Sequence, residues 1–415
     1  MQTAFDVLIV GGGMVGASLA VALKDLPIKV GVIEAYPFEA LQQPAYDDRA
    51  IALSYGAGQI LRGMGVWSSI EAVATPIDSI HVSDRGHFGA TRLSAKQQKV
   101  PALGYLIQSR DYGSVLQREL VHSDVTLFQP AQVCSIEDAD DTLTVSISQN
   151  ADTDVVSEAR LSTKLLIACD GANSKVRDMV GIEAKQHDYQ QVAVVANVTT
   201  QKPHNNQAFE RFTEQGPIAL LPMSENRSSL VWTLGVEHYE AVLALDDAGF
   251  LKALGEAFGY RLGRFVKAGK RSFFPLKLTS VEQFTTHRVA VIGNAAHALH
   301  PVAGQGLNLA LRDIADLASQ IAESMLGDDD LGSAKLLDAY ATHRKNDTNR
   351  TIRYTDSLVK IFSNDQFLLG HARAVGLMMV DRLPPLRRLL AKQSMGMTHR
   401  QSRLSRGLPL LEKQL

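Results

Sequence analysis

Four apolar residues, Val7–Val10, run straight into Gly11-Gly12-Gly13, and this predicts a buried strand over Phe5–Val10. Helical spacing over Met14–Lys24 and a second apolar run over Lys29–Glu34 complete a βαβ unit, the opening of a doubly wound sheet. A polar stretch, Tyr36–Arg49, follows, and after it a helical pattern that ends at Gly65-Val66-Trp67. Apolar and polar residues then alternate over Val192–Val198, Ala208–Phe212 and Ser229–Leu234, with turn residues between, which predicts antiparallel strands. Buried-strand runs return at Leu165–Ala168 and Val289–Ile292, and Gln305–Met325 has the pattern of a long helix. The predicted architecture is α/β. A dinucleotide-binding domain is assembled from residues 1–75, 101–184 and 281–345. An antiparallel-sheet domain (76–100 and 185–280) is inserted into it, and residues 346–415 form a helical C-terminal region.

Composition changes this picture little. The chain has 415 residues, 45% of them hydrophobic, and a net charge of -2, so no global basic excess points to nucleic acid. Cys134 and Cys169 cannot build a disulfide framework and fit a reducing, cytoplasmic setting. No apolar stretch reaches the roughly 18 residues of a membrane span. His81 and His87 have no metal-ligand spacing with an acid, so no metal is expected. Charge is unevenly placed, however: residues 371–415 carry nine Lys/Arg against two acidic residues.

Gly11-x-Gly13-x-x-Gly16 sits between a predicted strand and a predicted helix. Gly11 allows the tight turn, Gly13 lets backbone approach a pyrophosphate, and Gly16 lets helix and strand pack closely. Glu34, at the end of the second strand, is placed to accept hydrogen bonds from the ribose of an adenosine. At this point NAD and FAD both remain open.

Two further motifs favour FAD. After the strand over Leu165–Ala168 come Asp170-Gly171, then Ser174 and Arg177. An acid and a glycine there suit a cofactor diphosphate, although an Asp capping a strand-to-helix turn explains the same residues. The third motif begins with Gly293-Asn294, suited to a ribityl hydroxyl, and continues through His297, His300 and Pro301 to Gly304-Gln305-Gly306 and Asn308. Its glycines open the long helix, whose N-terminal amides suit the negative charge at the flavin N1/O2 edge.

The three motifs together resemble those of the single-component flavin aromatic hydroxylases, the para-hydroxybenzoate hydroxylase superfamily, over nearly the whole chain. Asp48–Ser54, His81–His87, Glu210–Pro217 and Gly304–Asn308 are similar to segments of the ubiquinone-biosynthesis hydroxylases. Asp84-Arg85-Gly86-His87 is most similar to 2-polyprenyl-6-methoxyphenol hydroxylases. The resemblance implies a Rossmann-like FAD-binding domain with an inserted substrate domain. It implies an FAD-dependent monooxygenase that hydroxylates the ring of a polyprenylated (methoxy)phenol through an NAD(P)H-reduced flavin and a flavin hydroperoxide. It puts Arg49 and Arg110 beside the cofactor, the Pro301 backbone carbonyl near the reacting carbon with His300 adjacent, and Leu221 and Pro222 around the ring. Asn294 departs from the family's usual Asp and removes a negative charge beside the flavin. Two alternatives stand beside this reading. One is a hydroxylase of a small soluble aromatic acid, with Arg211 as the carboxylate anchor. The other is a non-catalytic flavoprotein scaffold.

From Phe367 onward apolar residues recur at helical spacing with basic residues between them, and Pro384-Pro385 divides the pattern into two helices. Residues 367–415 therefore suit a membrane surface with anionic lipid, which would make the protein peripheral on the membrane's inner face. They also suit packing on the body of the enzyme, or contact with partners in a biosynthetic complex.

Overall fold

The computed structural model describes residues 3–37, 49–150, 156–299, 304–362, 367–398 and 402–412. Strand Thr3–Val10 is flanked in parallel by Val30–Ile33 and by the second half of Val156–Ala168. Thr126–Phe128 and Val289–Val291 extend the sheet on either side. The helices Met14–Leu23 and Gln305–Leu326 pack together beside this sheet, and both are almost wholly buried along their inner length. The continuous apolar runs of the sequence follow from this: strands covered on both faces carry no polar alternation.

An antiparallel hairpin, Ala131–Ala139 and Thr142–Asn150, adds to the first half of Val156–Ala168. It is not among the elements predicted from sequence, although Leu143, Val145 and Ile147 alternate inward and are fully buried. Residues Ala50–Ser54 also differ from expectation. They form a strand paired with Gly104–Gln108, and the helix begins only at Tyr55, where the Ser54 hydroxyl accepts the Ala57 amide at 3.2 Å.

A nine-stranded sheet forms the second layer, ordered His297–Ala298, Ser272–Val281, Ala184–Thr200, Arg227–Gly235, Gly216–Pro222, Gln207–Thr213, Ser79–Asp84 and Ala90–Ser94, with Phe265–Ala268 alongside Ala184–Thr200. It is antiparallel except where Gln207–Thr213 runs parallel to Ser79–Asp84. Ser79–Asp84 and Ala90–Ser94 lie in an early segment between Thr75–Ile77 and Gly104–Gln108, two strands that pair with each other in a separate three-stranded sheet with Ala50–Ser54.

The C-terminal helices Phe367–Arg382 and Pro384–Ser394 break at the predicted prolines, with Pro384 at the helix start where its missing N–H costs nothing. They pack on the body of the protein. The Arg373 guanidinium reaches buried Asp84 at 3.0 Å, Thr91 donates to the Leu377 carbonyl, and Ala391 and Met395 sit in a core with Leu93, Ala95 and Leu103. Val375, Met379, Leu383, Leu386 and Leu389 nevertheless face outward, beside Arg382 and Arg388. Among the described residues, no helix is long and apolar enough to cross a membrane.

Candidate active site

The first glycine loop is shaped by backbone contacts. Gly11 has φ +96°, and a Cβ there would lie 2.6 Å from the Cys169 carbonyl oxygen. A Cβ at Gly16 would lie 1.8 Å from the Gly11 oxygen, so helix and loop touch main chain to main chain. Gly13 is different: a Cβ added there meets nothing within 4 Å. It precedes helix Met14–Leu23, whose N-terminus has no side-chain cap. The protein therefore leaves open space in front of free amides with a positive dipole end, which is the setting for a phosphate. Glu34 closes the loop from behind, its carboxylate accepting the Gly12 amide at 2.6 Å and the Tyr36 amide at 2.9 Å. Each oxygen keeps a further lone pair.

In the second motif the Asp170 carboxylate caps a turn. It accepts from the Ser174 hydroxyl at 2.5 Å and from the Val176 amide at 3.1 Å, ahead of the short helix Lys175–Met179. Gly171, at φ +92°, again faces open space. Arg177, nearly fully buried, donates to the carbonyls of Ala172 and Ala295, which ties the second motif to the third.

The third motif rests on a buried polar network. Asp313, on helix Gln305–Leu326, accepts the Gly293 amide at 3.0 Å, His297 Nε2 at 2.6 Å and Arg344 Nε at 2.7 Å. Burial alone would push the Asp313 carboxyl up. The charges of His297 and Arg344 and the bonds from His297 and Gly293 more than offset it and hold the carboxyl below its usual range. His297 is completely buried and spends its Nε2 on this carboxylate, so its part is to position the loop. Gly293 turns at φ +60° and leaves Asn294 exposed towards a cavity.

Asn308 is also a positioning residue. Its oxygen accepts the Ser54 amide and its nitrogen donates to the carbonyls of Ala52 and Gly304, stapling strand Ala50–Ser54 to the start of the long helix. Gly304 adopts φ +58°, a Cβ at Gly306 would meet nothing, and Gln305 is buried beside them. Arg49 lies over the Phe274 ring at 4.9 Å, and Arg110 contacts Gln108 and Asp111. His300 and Pro301 lie outside the described residues.

The cavity, about 950 Å³, is bounded by Met14, Asn294, Gly304 and Gly306 from the glycine loops and by Ala208, Glu210, Ala219 and Leu221 from the second sheet. Gly376, Val380 and Leu390 of the C-terminal helices also line it. Its walls are mostly aliphatic. Pro217, Ala219 and Leu221 alternate onto it, so Pro222 falls on the other face and is not among its walls. Arg211 corrects the sequence expectation in the same way. One residue from Glu210, it points to the opposite face, against Gly259 and in the field of Arg85 and Arg261. Sequence reasoning had missed Glu210 as a site residue, although its place in the alternation Ala208-Glu210-Phe212 was the available signal. Among the described residues no cluster could hold a metal ion.

Fold and site define an FAD-dependent aromatic-ring monooxygenase, and the comparisons say of which kind. Residues 4–355 match the family model described as FAD binding domain. The chain is 34% identical to ubiquinone hydroxylase UbiL of Rhodospirillum rubrum, over 98% of this chain and 93% of that one. It is 30% identical to 3-demethoxyubiquinol 3-hydroxylase of Escherichia coli K12, over 94% and 98%. In fold it is similar to p-nitrophenol 4-monooxygenase PnpA of Pseudomonas putida DLL-E4, with a TM-score of 0.78 at 20% identity, covering 97% of this chain and 100% of that one. The chain belongs to the FAD-binding ubiquinone-biosynthesis hydroxylase family.

The open glycines yield a separable prediction. Gly13→Val is expected to fold with nearly unchanged stability, because no protein atom lies within 4 Å of the new Cβ, yet to purify without bound FAD. Flavin absorbance per chain and a urea unfolding curve check the two halves.

Proposed function

We propose that the protein hydroxylates the ring of a polyprenylated phenol of the ubiquinone pathway, with NAD(P)H as transient reductant. The observation that carries this reading is the cavity: about 950 Å³, walled by aliphatic side chains, and extending from the glycine loops to Gly376, Val380 and Leu390. An apolar chain gains roughly 0.8 kcal/mol for each CH₂ it buries, so such walls reward a prenyl tail and give a small polar acid little. The names of the two hydroxylase relatives point the same way.

A soluble aromatic acid is disfavoured by charge. The cation it would need, Arg211, is on the far face, and Arg373, which does line the cavity, is paired with Asp84. Glu210 in the wall would repel a carboxylate. A scaffold without turnover leaves the cavity's shape unexplained.

When bound, the flavin supplies the redox and oxygen-transfer chemistry, and the chain supplies position and dryness. The amides after Gly13 and the open side of Gly171 suit the diphosphate, with Arg49 near it. Asp170 holds that turn by capping it. Glu34, whose carboxylate fixes the first loop, is placed for the ribose. Asn294 suits a ribityl hydroxyl, and the helix start at Gln305-Gly306 suits the pyrimidine edge of the ring. Asn308 and Asp313 hold those two loops in register. Leu221 and its strand neighbours exclude water from the reacting ring. The outward row Val375, Met379, Leu383, Leu386 and Leu389, flanked by arginines, suits contact with an anionic lipid surface where a polyprenyl substrate resides.

The test is the anaerobic rate of flavin reduction by NAD(P)H with and without a prenylated methoxyphenol in detergent. A large acceleration by the prenylated phenol, and little by a small aromatic acid, is expected. The reverse order would overturn the substrate assignment.

A further inference from the structure

We propose that Glu210 is the proton acceptor for the ring hydroxyl of the phenolic substrate, an assignment that rests on the function proposed above. Glu210 lies on strand Gln207–Thr213, opposite Ala219 on one neighbouring strand and Val82 on the other. Both partners are apolar, and Glu210 lines the same cavity as Asn294, Gly304 and Gly306. Its carboxyl has no hydrogen bond or ion pair among the described residues. A half-buried carboxyl set among aliphatic cavity walls without a partner is costly to keep, and nothing in the packing of the fold calls for one there.

The other groups facing it are accounted for. Tyr354, from helix Ala334–Phe362, hydrogen-bonds Ser394 of the last helix, and burial together with the charge of Glu210 pushes its hydroxyl up to about 12. Tyr354 therefore remains a protonated donor. Arg373, from helix Phe367–Arg382, is held by Asp84. Among the described residues that line the cavity, Glu210 is the one carboxyl. Burial pushes its pKa up to about 7, so near neutrality it is available in both protonation states.

The step is a proton transfer. The O–H bond of the ring hydroxyl breaks, its proton passes to a Glu210 carboxylate oxygen, and the bonding pair stays on the ring oxygen. No oxidant or reductant is consumed. The phenolate oxygen then feeds electron density to the ortho and para carbons, which favours attack on an electrophilic oxygen. When the oxygenated carbon loses its hydrogen as a proton to water, its C–H bonding pair restores the aromatic ring, the ring oxygen recovers a proton from Glu210, and the carboxylate is restored.

The experiment compares holoenzymes of wild type, Glu210→Gln and Glu210→Asp, with a prenylated phenol as substrate. Readouts are the pH profile of kcat/KM, product formed per NAD(P)H consumed, FAD content and the anaerobic rate of flavin reduction. Wild type is expected to gain activity as pH rises through about 7, where Glu210 ionises. Glu210→Gln should lose about 100-fold at the plateau. It should also lose the rising limb and release hydrogen peroxide in place of product, while FAD content and flavin reduction are unchanged. Glu210→Asp should keep the limb. A Gln variant that retains both the limb and the plateau would overturn the assignment. Wild type that fails to turn over any prenylated phenol would overturn the reading it rests on, and the assignment with it.

Discussion

Asp313→Ala is expected to destabilise the protein by about 3–5 kcal/mol, the usual consequence of removing one partner from a buried ion pair. Its carboxylate accepts three donors at once, from Gly293, His297 and Arg344, and it is completely buried. Alanine would leave the Arg344 cation with Asp347 as its remaining acidic partner at hydrogen-bond distance, and would release the loop that presents Asn294. Asp313→Asn should cost less, since one acceptor survives. A lower urea midpoint with unchanged slope, accompanied by loss of bound FAD, is the expected result. The sign with pH follows from the lowered Asp313 pKa. Its stabilisation is present above the ordinary carboxylate value and is lost as pH falls through the lowered one. The difference between wild type and variant should therefore narrow in acid.

Gly16→Ala is expected to abolish FAD retention. The new Cβ would stand 1.8 Å from the Gly11 carbonyl oxygen and 3.2 Å from the Ile9 side chain. Neither can yield cheaply, because the first is main chain in a turn fixed by Gly11 and the second belongs to the central strand. Helix Met14–Leu23 has to move away from the sheet, at an overpacking cost of about 1–3 kcal/mol. The motion carries the helix's free amides away from the diphosphate position. The contrast with Gly13→Val is diagnostic: both should lose flavin, but Gly16→Ala should also lower the unfolding midpoint. Equal midpoints for the two variants would contradict the close-approach account of Gly16.

The glycine loops were legible in the sequence because close main-chain contact leaves no alternative residue at Gly11 and Gly16. The buried strands were legible for a related reason, since continuous apolar runs have few places to go. Ala50–Ser54 was not separated from the helix behind it, because five residues carry too little alternation and helix Tyr55–Gly63 follows without a break. The Asp313 network was illegible. Its donors Gly293, His297 and Arg344 come from both sides of it in the chain, and their convergence depends on how the long helix packs. Arg211 was expected at the site and Glu210 was missed, a difference of one residue of parity. Strand register decides which of two neighbours faces a cavity, and that register is fixed by pairing with Ser79–Asp84 and Gly216–Pro222. The cavity itself draws on loops, strands and C-terminal helices far apart in the chain, so its length and apolar character emerge only when they are assembled.

The most direct test of the central claim is aerobic turnover of a prenylated phenol with NAD(P)H under ¹⁸O₂, followed by mass spectrometry of the product. The account predicts a ring-hydroxylated prenylated product carrying one labelled oxygen atom. Hydroxylation of a small aromatic acid with no labelled prenylated product would contradict it.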